Sequence, residues 1–175
     1  GLKRHGVSPV LKHFPGHGGT AEDSHETKPV LHRTLEELSE TEFLPFAAGI
    51  KSGADFVMAG HISVPEIDGD GRPAVFSKTL LTDVLRKQLG FEGIIITDAM
   101  NMGAVTTEYD SGEAAVSALL AGVDMILMPE DFDTAVQAVK GAVENGTLTE
   151  KRIEESVLRI LTLKAEKNME REAAR

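Results

Sequence analysis

Side chains suited to acid–base and nucleophilic chemistry cluster at the predicted carboxyl ends of strands. The segment KHFPGHGGTAEDSH, residues 12–25, contains His13, His17 and His25. His61 follows a second apolar run, and Asp98 ends a third one, GIIITD. Imidazole exchanges protons near neutral pH, and an ionised carboxylate at a rigid position can act as a nucleophile. Because ligands of parallel α/β sheets bind at the carboxyl ends of the strands, we expect these groups to face one site.

Two other kinds of site compete for the histidine-rich segment. The three glycines after Pro15 could surround a phosphate, but no glycine motif of fixed spacing opens a helix there. His13 and His17 have the i, i+4 spacing of metal ligands on a helix. The intervening Pro15 and Gly16 disfavour a helix, so the sequence argues against a metal site.

Short apolar runs and helix patterns alternate along the chain. The runs are rich in β-branched residues and Met and predict strands at residues 10–12, 55–60, 93–98 and 123–128. Their lack of alternation is typical of parallel strands that are covered on both faces. Asp55 and Asp124 lie at the opposite ends of their strands from the histidines, and we interpret them as structural caps.

Helices are predicted after each strand. Thr34 and Glu37 form a capping box for a helix that extends to about residue 51, with Pro45 in a first turn or at a kink. Ser77 caps the next helix, and two more follow at residues 112–121 and from about Phe132. The last helix begins near residue 149, and its expected buried stripe is Ile153, Val157, Ile160 and Leu161.

Four strand–helix repeats predict right-handed βαβ units in an α/β fold. This pattern fits an open doubly wound sheet or half of a (β/α)8 barrel, since a whole barrel has roughly 250 residues. Residues 168–175 are highly charged, and we expect them to form a frayed tail after a single domain at residues 1–167.

Composition excludes several classes of function. The chain has 28 acidic and 18 basic residues, a formal net charge of −10, and no basic run. Nucleic acids and anionic membrane surfaces are bound through clustered Lys and Arg, so neither is an expected partner. There is no cysteine, which excludes disulfides and thiolate metal sites. The longest apolar stretches are strand-sized, too short to span a bilayer.

Residues 12–25 resemble the signature of family 3 glycoside hydrolases of the bacterial β-N-acetylglucosaminidase type, which reads KHFPGHG, a threonine and then Asp-Ser-His. The segment ITDAMNM, residues 96–102, resembles the second signature of that family, and AGHISVP, residues 59–65, is similar to the stretch between them. The resemblance covers essentially the whole chain. It implies a (β/α)8 TIM barrel of which this chain supplies about half, strands five to eight, while strands one to four are not in it.

The resemblance implies catalytic roles for three residues. Asp98 matches the nucleophile that forms a covalent glycosyl-enzyme, His25 the general acid/base, and Asp23 the partner that orients His25. A carboxylate beside an imidazole fixes its tautomer and stabilises the imidazolium, so that His25 could protonate a leaving oxygen and later deprotonate water.

Further residues are assigned to substrate binding on the same basis. Lys12 and His13 match the pair that hydrogen-bonds hydroxyls of the terminal sugar, and His61 and Met102 are expected to line the pocket. We expect neither a metal nor another cofactor.

The resemblance implies retaining hydrolysis of terminal β-linked N-acetylglucosamine, in peptidoglycan fragments or related glycans. Two alternatives stay open: phosphorolysis of the same linkage, because a histidine acid/base does not repel phosphate as a glutamate would, and a non-catalytic half-barrel fragment. This chain alone is expected to be weakly active or inactive, and to form a homodimer through its exposed half-barrel edges. The sequence does not distinguish a bacterial cytoplasmic from a secreted or cell-surface location.

Overall fold

The computed structural model describes residues 1–19 and 29–173. A 3-10 turn at Leu2–His5 precedes strand β1, Val10–Phe14, and helices α1, Leu35–Glu40, and α2, Phe43–Lys51. Strand β2, Phe56–Ala59, is followed by α3, Pro65–Asp68, a 3-10 turn at Ala74–Phe76 and a π-helix at Thr79–Gln88. Strand β3, Ile94–Ala99, leads to α4, Gly103–Thr106, and α5, Ser111–Ala121. Strand β4, Met125–Leu127, and helices α6, Phe132–Glu144, and α7, Glu150–Ala173, complete the described order.

The four strands form one parallel sheet in the order β1-β2-β3-β4. Val10 pairs with Phe56, which in turn pairs with Ile94, and β3 and β4 pair through Ile96 and Met125. The predicted α/β class with parallel strands is thus confirmed. Strand β1 continues two residues beyond the predicted end at Lys12, and β4 is shorter than predicted.

The two faces of the sheet differ in burial, which corrects the expectation that both are covered. One set of alternate positions is fully buried against the helices: Val57, Ala59, Ile95 and Thr97. On the other face Ile94 is buried at the start of β3, but the positions further along are only half-buried: Phe56, Met58, Ile96 and Asp98. Successive side chains of a strand point to opposite faces, so the helices among the described residues cover one face and leave the other partly open. The apolar runs were long because both faces carry apolar residues, although only one of them is covered.

Local signals set the helix ends. Both hydrogen bonds of the Thr34–Glu37 capping box are present, as predicted. The predicted single helix is interrupted between α1 and α2. Pro45 therefore lies in the first turn of α2, where its missing N–H is tolerated. The Ser77 hydroxyl accepts a hydrogen bond from Leu80 N–H at 3.0 Å, near the start of the π-helix. Gly122 follows α5 at φ 120°, a conformation that side-chain-bearing residues rarely adopt.

Helix α7 corrects one expectation, that of its buried face. Val157 and Leu161 are 46% and 55% exposed, so the predicted apolar stripe is not buried. The side of the helix that meets the sheet instead carries Arg152, Ser156 and Arg159, whose side chains contact Asp124. The helix extends to Ala173 and so includes part of the charged tail at residues 168–175, whose fraying stays a prediction. No helix among the described residues has the length and apolarity needed to cross a membrane.

Charged clusters close the end of the sheet opposite the histidines. Asp124 is paired with Arg86, Arg152 and Arg159, and one of its oxygens accepts a hydrogen bond from Ile95 N–H at 3.0 Å. Asp55 pairs in the same region with Lys3 at 2.8 Å. The predicted structural role of both aspartates is therefore met by ion pairs between elements.

Candidate active site

Asp98 lies at the carboxyl end of β3, at the partly open face of the sheet. Its side chain is 18% exposed, and its Oδ1 atom accepts a hydrogen bond from Ala99 N–H at 2.8 Å. The neighbouring Thr97 is fully buried, and its hydroxyl accepts a hydrogen bond from Leu127 N–H at 2.9 Å. The Thr97–Leu127 bond holds the end of β3 against β4, so the Asp98 carboxylate stands on a rigid support.

His13 brings a second functional group to this carboxylate. Its Nε2 atom lies 3.5 Å from Asp98 Oδ2, across the strand β2 that separates β1 from β3. That separation is an ion-pair distance when the imidazole is protonated and longer than a good hydrogen bond. The rings of His13 and His17 meet edge to face with centroids 6.1 Å apart. The residues that the sequence placed at different strand ends are thus neighbours in space.

His61 follows β2 and lies between the other two strands, with 1% of its surface exposed. Its Nε2 atom is 3.0 Å from Ala99 O, and its Nδ1 atom is buried with no hydrogen-bond partner among the described residues. Burial lowers the pKa of His61 below its ordinary value of 6.5, opposed by the hydrogen bond to Ala99 and by the charge of Asp98. His61 is therefore neutral at neutral pH and packed under the site.

The remaining predicted site residues fall in three groups. Lys12 is exposed on β1, next to His13. Met102 is half-buried immediately before α4, on the loop that follows Asp98. Asp23 and His25 lie outside the described residues, so their expected roles stay predictions.

Thr97 was not among the predicted site residues, and His61 was expected to line the pocket rather than to bond to the main chain beside Asp98. The sequence did contain a signal for Thr97, because it is the only polar residue in the apolar run GIIIT that precedes Asp98. The bond from His61 to a main-chain carbonyl had no sequence signal, because a carbonyl is present at every residue. Across residues 1–19 and 29–173 no group of three or more His, Asp or Glu side chains could hold a metal ion.

Residues 1–163 match the family described as the glycosyl hydrolase family 3 N terminal domain. This match spans more than half of the chain and includes every candidate residue of the site. The chain belongs to glycoside hydrolase family 3.

Relatives and solved structures agree with this family. A beta-hexosaminidase of Chromobacterium violaceum is 39% identical over 142 residues, which are 79% of this chain and 39% of the relative. The structure of a glycoside hydrolase family 3 beta-N-acetylglucosaminidase from Paenibacillus sp. str. FPU-7 superimposes with a TM-score of 0.91 at 38% identity, over 96% of this chain and 32% of that one. The structure of a beta-glucoside phosphorylase, BglX, gives a TM-score of 0.89 at 30% identity, over 97% and 32% of the two chains. The chain spans 39% and 43% of the length of two of the curated beta-hexosaminidases that it matches.

Proposed function

We propose that this chain carries the nucleophile and the acid/base of a retaining glycosidase that removes terminal β-linked N-acetylglucosamine. The main support for this proposal is the Asp98 carboxylate, which is held at the carboxyl end of β3 with its Oδ2 atom 3.5 Å from His13 Nε2. A fixed, partly exposed carboxylate beside a hydrogen-bond donor suits attack on an anomeric carbon and contact with a sugar hydroxyl. The similarity to beta-hexosaminidases supports the choice of sugar.

The reaction has two steps. Asp98 attacks the anomeric carbon and forms an ester as the bond to the leaving oxygen breaks, while His25 gives that oxygen its proton. His25 then takes a proton from water, and the water oxygen replaces Asp98 on the same carbon, so the configuration is retained. Asp23, two residues before His25, orients the imidazole through both steps, and Lys12 and His13 bind hydroxyls of the sugar.

The uneven burial of the sheet supports the further proposal that the four strands are strands five to eight of a (β/α)8 barrel. In a barrel the inward side chains pack against those of the other strands. Phe56, Met58 and Ile96 are half-buried on the face that would turn inward. Asp98 lies on that same face at the carboxyl ends of the strands, where the active sites of such barrels lie.

Apolar side chains are exposed near both outer edges of the proposed half-barrel. Met128 beyond β4 and Phe132 in α6 are 56% and 68% exposed, and Val10 at the opposite edge is 43% exposed. For the 175-residue chain we propose a second copy, with each β1 pairing with the β4 of the other copy, because two sets of four parallel strands make eight. This dimer lacks the sugar-binding groups of strands one to four, so we expect little or no turnover from it.

Sedimentation equilibrium at micromolar concentration tests the pairing, and a clean monomer of 175 residues would refute it. Turnover by this chain comparable to that of a complete family member would refute its expected inactivity, and would mean that these four strands carry the whole site.

Phosphorolysis is the second candidate, favoured by the similarity to a beta-glucoside phosphorylase. In that case phosphate attacks the covalent intermediate in place of water, and the product is a sugar 1-phosphate. Product analysis of the complete polypeptide in phosphate buffer separates the two: free N-acetylglucosamine alone supports hydrolysis, and a sugar 1-phosphate supports phosphorolysis.

A further inference from the structure

Two consecutive residues at the end of β2 join the strand of His13 to the strand of Asp98. Gly60 N–H donates a hydrogen bond to Phe14 O at 2.9 Å, on the β1 side. His61 bonds to Ala99 O at 3.0 Å, on the β3 side. A side-chain carbon at Gly60 would lie 3.1 Å from His13 Cβ, so glycine permits the close approach of the two strands. The segment thereby spans the gap across which His13 and Asp98 meet.

The chemistry of the bond to Ala99 fixes the tautomer of His61. A carbonyl oxygen only accepts hydrogen bonds, so Nε2 must carry the hydrogen. The buried ring is neutral, as the lowered pKa of His61 indicates, which leaves Nδ1 without a hydrogen. His61 thus acts as a fixed hydrogen-bond donor to the main chain.

The Ala99 residue is held at both of its polar atoms. Its N–H binds Asp98 Oδ1 at 2.8 Å, and its carbonyl accepts the His61 hydrogen bond. Rotation of the chain after Asp98 would break one of these bonds. Met100 N–H also binds Leu127 O at 2.9 Å, so the peptide unit between Ala99 and Met100 is held from both β2 and β4.

We propose that His61 is a positioning residue, which holds the Asp98 carboxylate at its distance from His13 through the Ala99 carbonyl. The inference rests on the proposed role of Asp98 as nucleophile. Without the His61 donor, the Ala99 carbonyl can tilt. Because the N–H of Ala99 binds Asp98 Oδ1, the Asp98 carboxylate then moves with this residue. A displacement of about 1 Å at a reacting group can lower the rate by about 100-fold.

A pair of polar replacements tests the donor in the complete polypeptide that contains this chain. The amide nitrogen of His61→Gln falls near the place of Nε2 and can donate to Ala99 O, whereas that of His61→Asn corresponds to Nδ1 and is too short to reach. We expect His61→Asn to lower kcat roughly 10- to 100-fold with KM changed by less than about threefold. His61→Gln keeps the hydrogen-bond donor, so its kcat should stay within about fivefold of that of the unsubstituted protein.

Each outcome of this comparison decides the inference. Equal kcat for the Gln and Asn variants at matched melting temperatures would overturn it, and so would a loss carried by KM alone. 15N spectra of histidine-labelled protein give a second readout that needs no turnover: a ring with hydrogen on Nε2 supports the assignment, and hydrogen on Nδ1 overturns it. Asp98→Ala is measured in parallel, because its full activity would refute the proposed function itself, independently of His61.

Discussion

Asp124 and its three arginine partners, Arg86, Arg152 and Arg159, are expected to stabilise the fold, and the size of this effect can be worked out from their burial. The Asp124 carboxylate has no exposed surface and faces three guanidinium groups, of which Arg86 is 13% exposed. Burial, opposed by the charge of Asp124, lowers the pKa of Arg86 to about 10. Asp124→Asn keeps the volume of the side chain and removes the only carboxylate among these pairs, so the arginines are left with uncompensated charge.

Breaking one side of a buried ion pair typically costs about 3–5 kcal/mol. For a chain of this length each kcal/mol lowers the melting temperature by about 2–4 °C, so the expected decrease is about 6–20 °C. The assay is thermal unfolding followed by circular dichroism. Asp83→Asn is the matched control, since it removes one carboxylate from an exposed pair with Lys87. Equal melting temperatures for the two variants would show that the cluster does not stabilise the fold.

Three further predictions concern pH, catalysis and capping. Because folding lowers the pKa of His61, the unfolded chain binds a proton at a higher pH than the folded one. The contribution of His61 to the free energy of unfolding is therefore full above about pH 6.5 and declines as the pH falls toward the pKa of the folded protein. The Asp98 carboxylate, and His13 when it is protonated, act electrostatically on this ring. Urea unfolding between about pH 5 and 8 should show a flatter profile for His61→Gln than for the unsubstituted protein. His25→Ala should lower the turnover of substrates with poor leaving groups more than that of activated aryl glycosides, and Asp23→Asn should have the same effect more mildly. Equal losses of turnover for both kinds of substrate would mean that His25 is structural. Thr34→Ala should cost about 1 kcal/mol in thermal unfolding by removing the capping box, whereas an unchanged midpoint would mean that the start of α1 does not contribute to stability.

Local sequence signals predicted the parts of the fold that depend on short-range geometry. The capping box at Thr34 and the helix stop at Gly122 are where the sequence placed them, and β3 ends at Ala99, one residue beyond the predicted end at Asp98. Each follows from the conformational preference of one residue or from a hydrogen bond within a few residues. The convergence of His13 and Asp98 was also predictable, because the carboxyl ends of parallel strands share one edge of the sheet.

Burial could not be predicted in the same way. The periodicity of α7 gave an apolar stripe that includes Val157 and Leu161, but that stripe is exposed because Asp124 draws the arginine side of the helix to the sheet. Periodicity defines the faces of a helix and does not say which face meets a neighbour. The role of His61 was hidden for a related reason, since its partner is a carbonyl oxygen brought close only by the register of β2 and β3.

The proposed mechanism depends above all on a covalent bond between Asp98 and the sugar. Asp98→Ala in the complete polypeptide should remove nearly all turnover of a chromogenic N-acetylglucosaminide while substrate still binds. Proton NMR of the unsubstituted protein during the first turnovers is the most direct measurement, since attack by Asp98 followed by water leaves the product in the β configuration. A β anomer that appears first is the predicted result. A first product with the α configuration would contradict a covalent intermediate on Asp98.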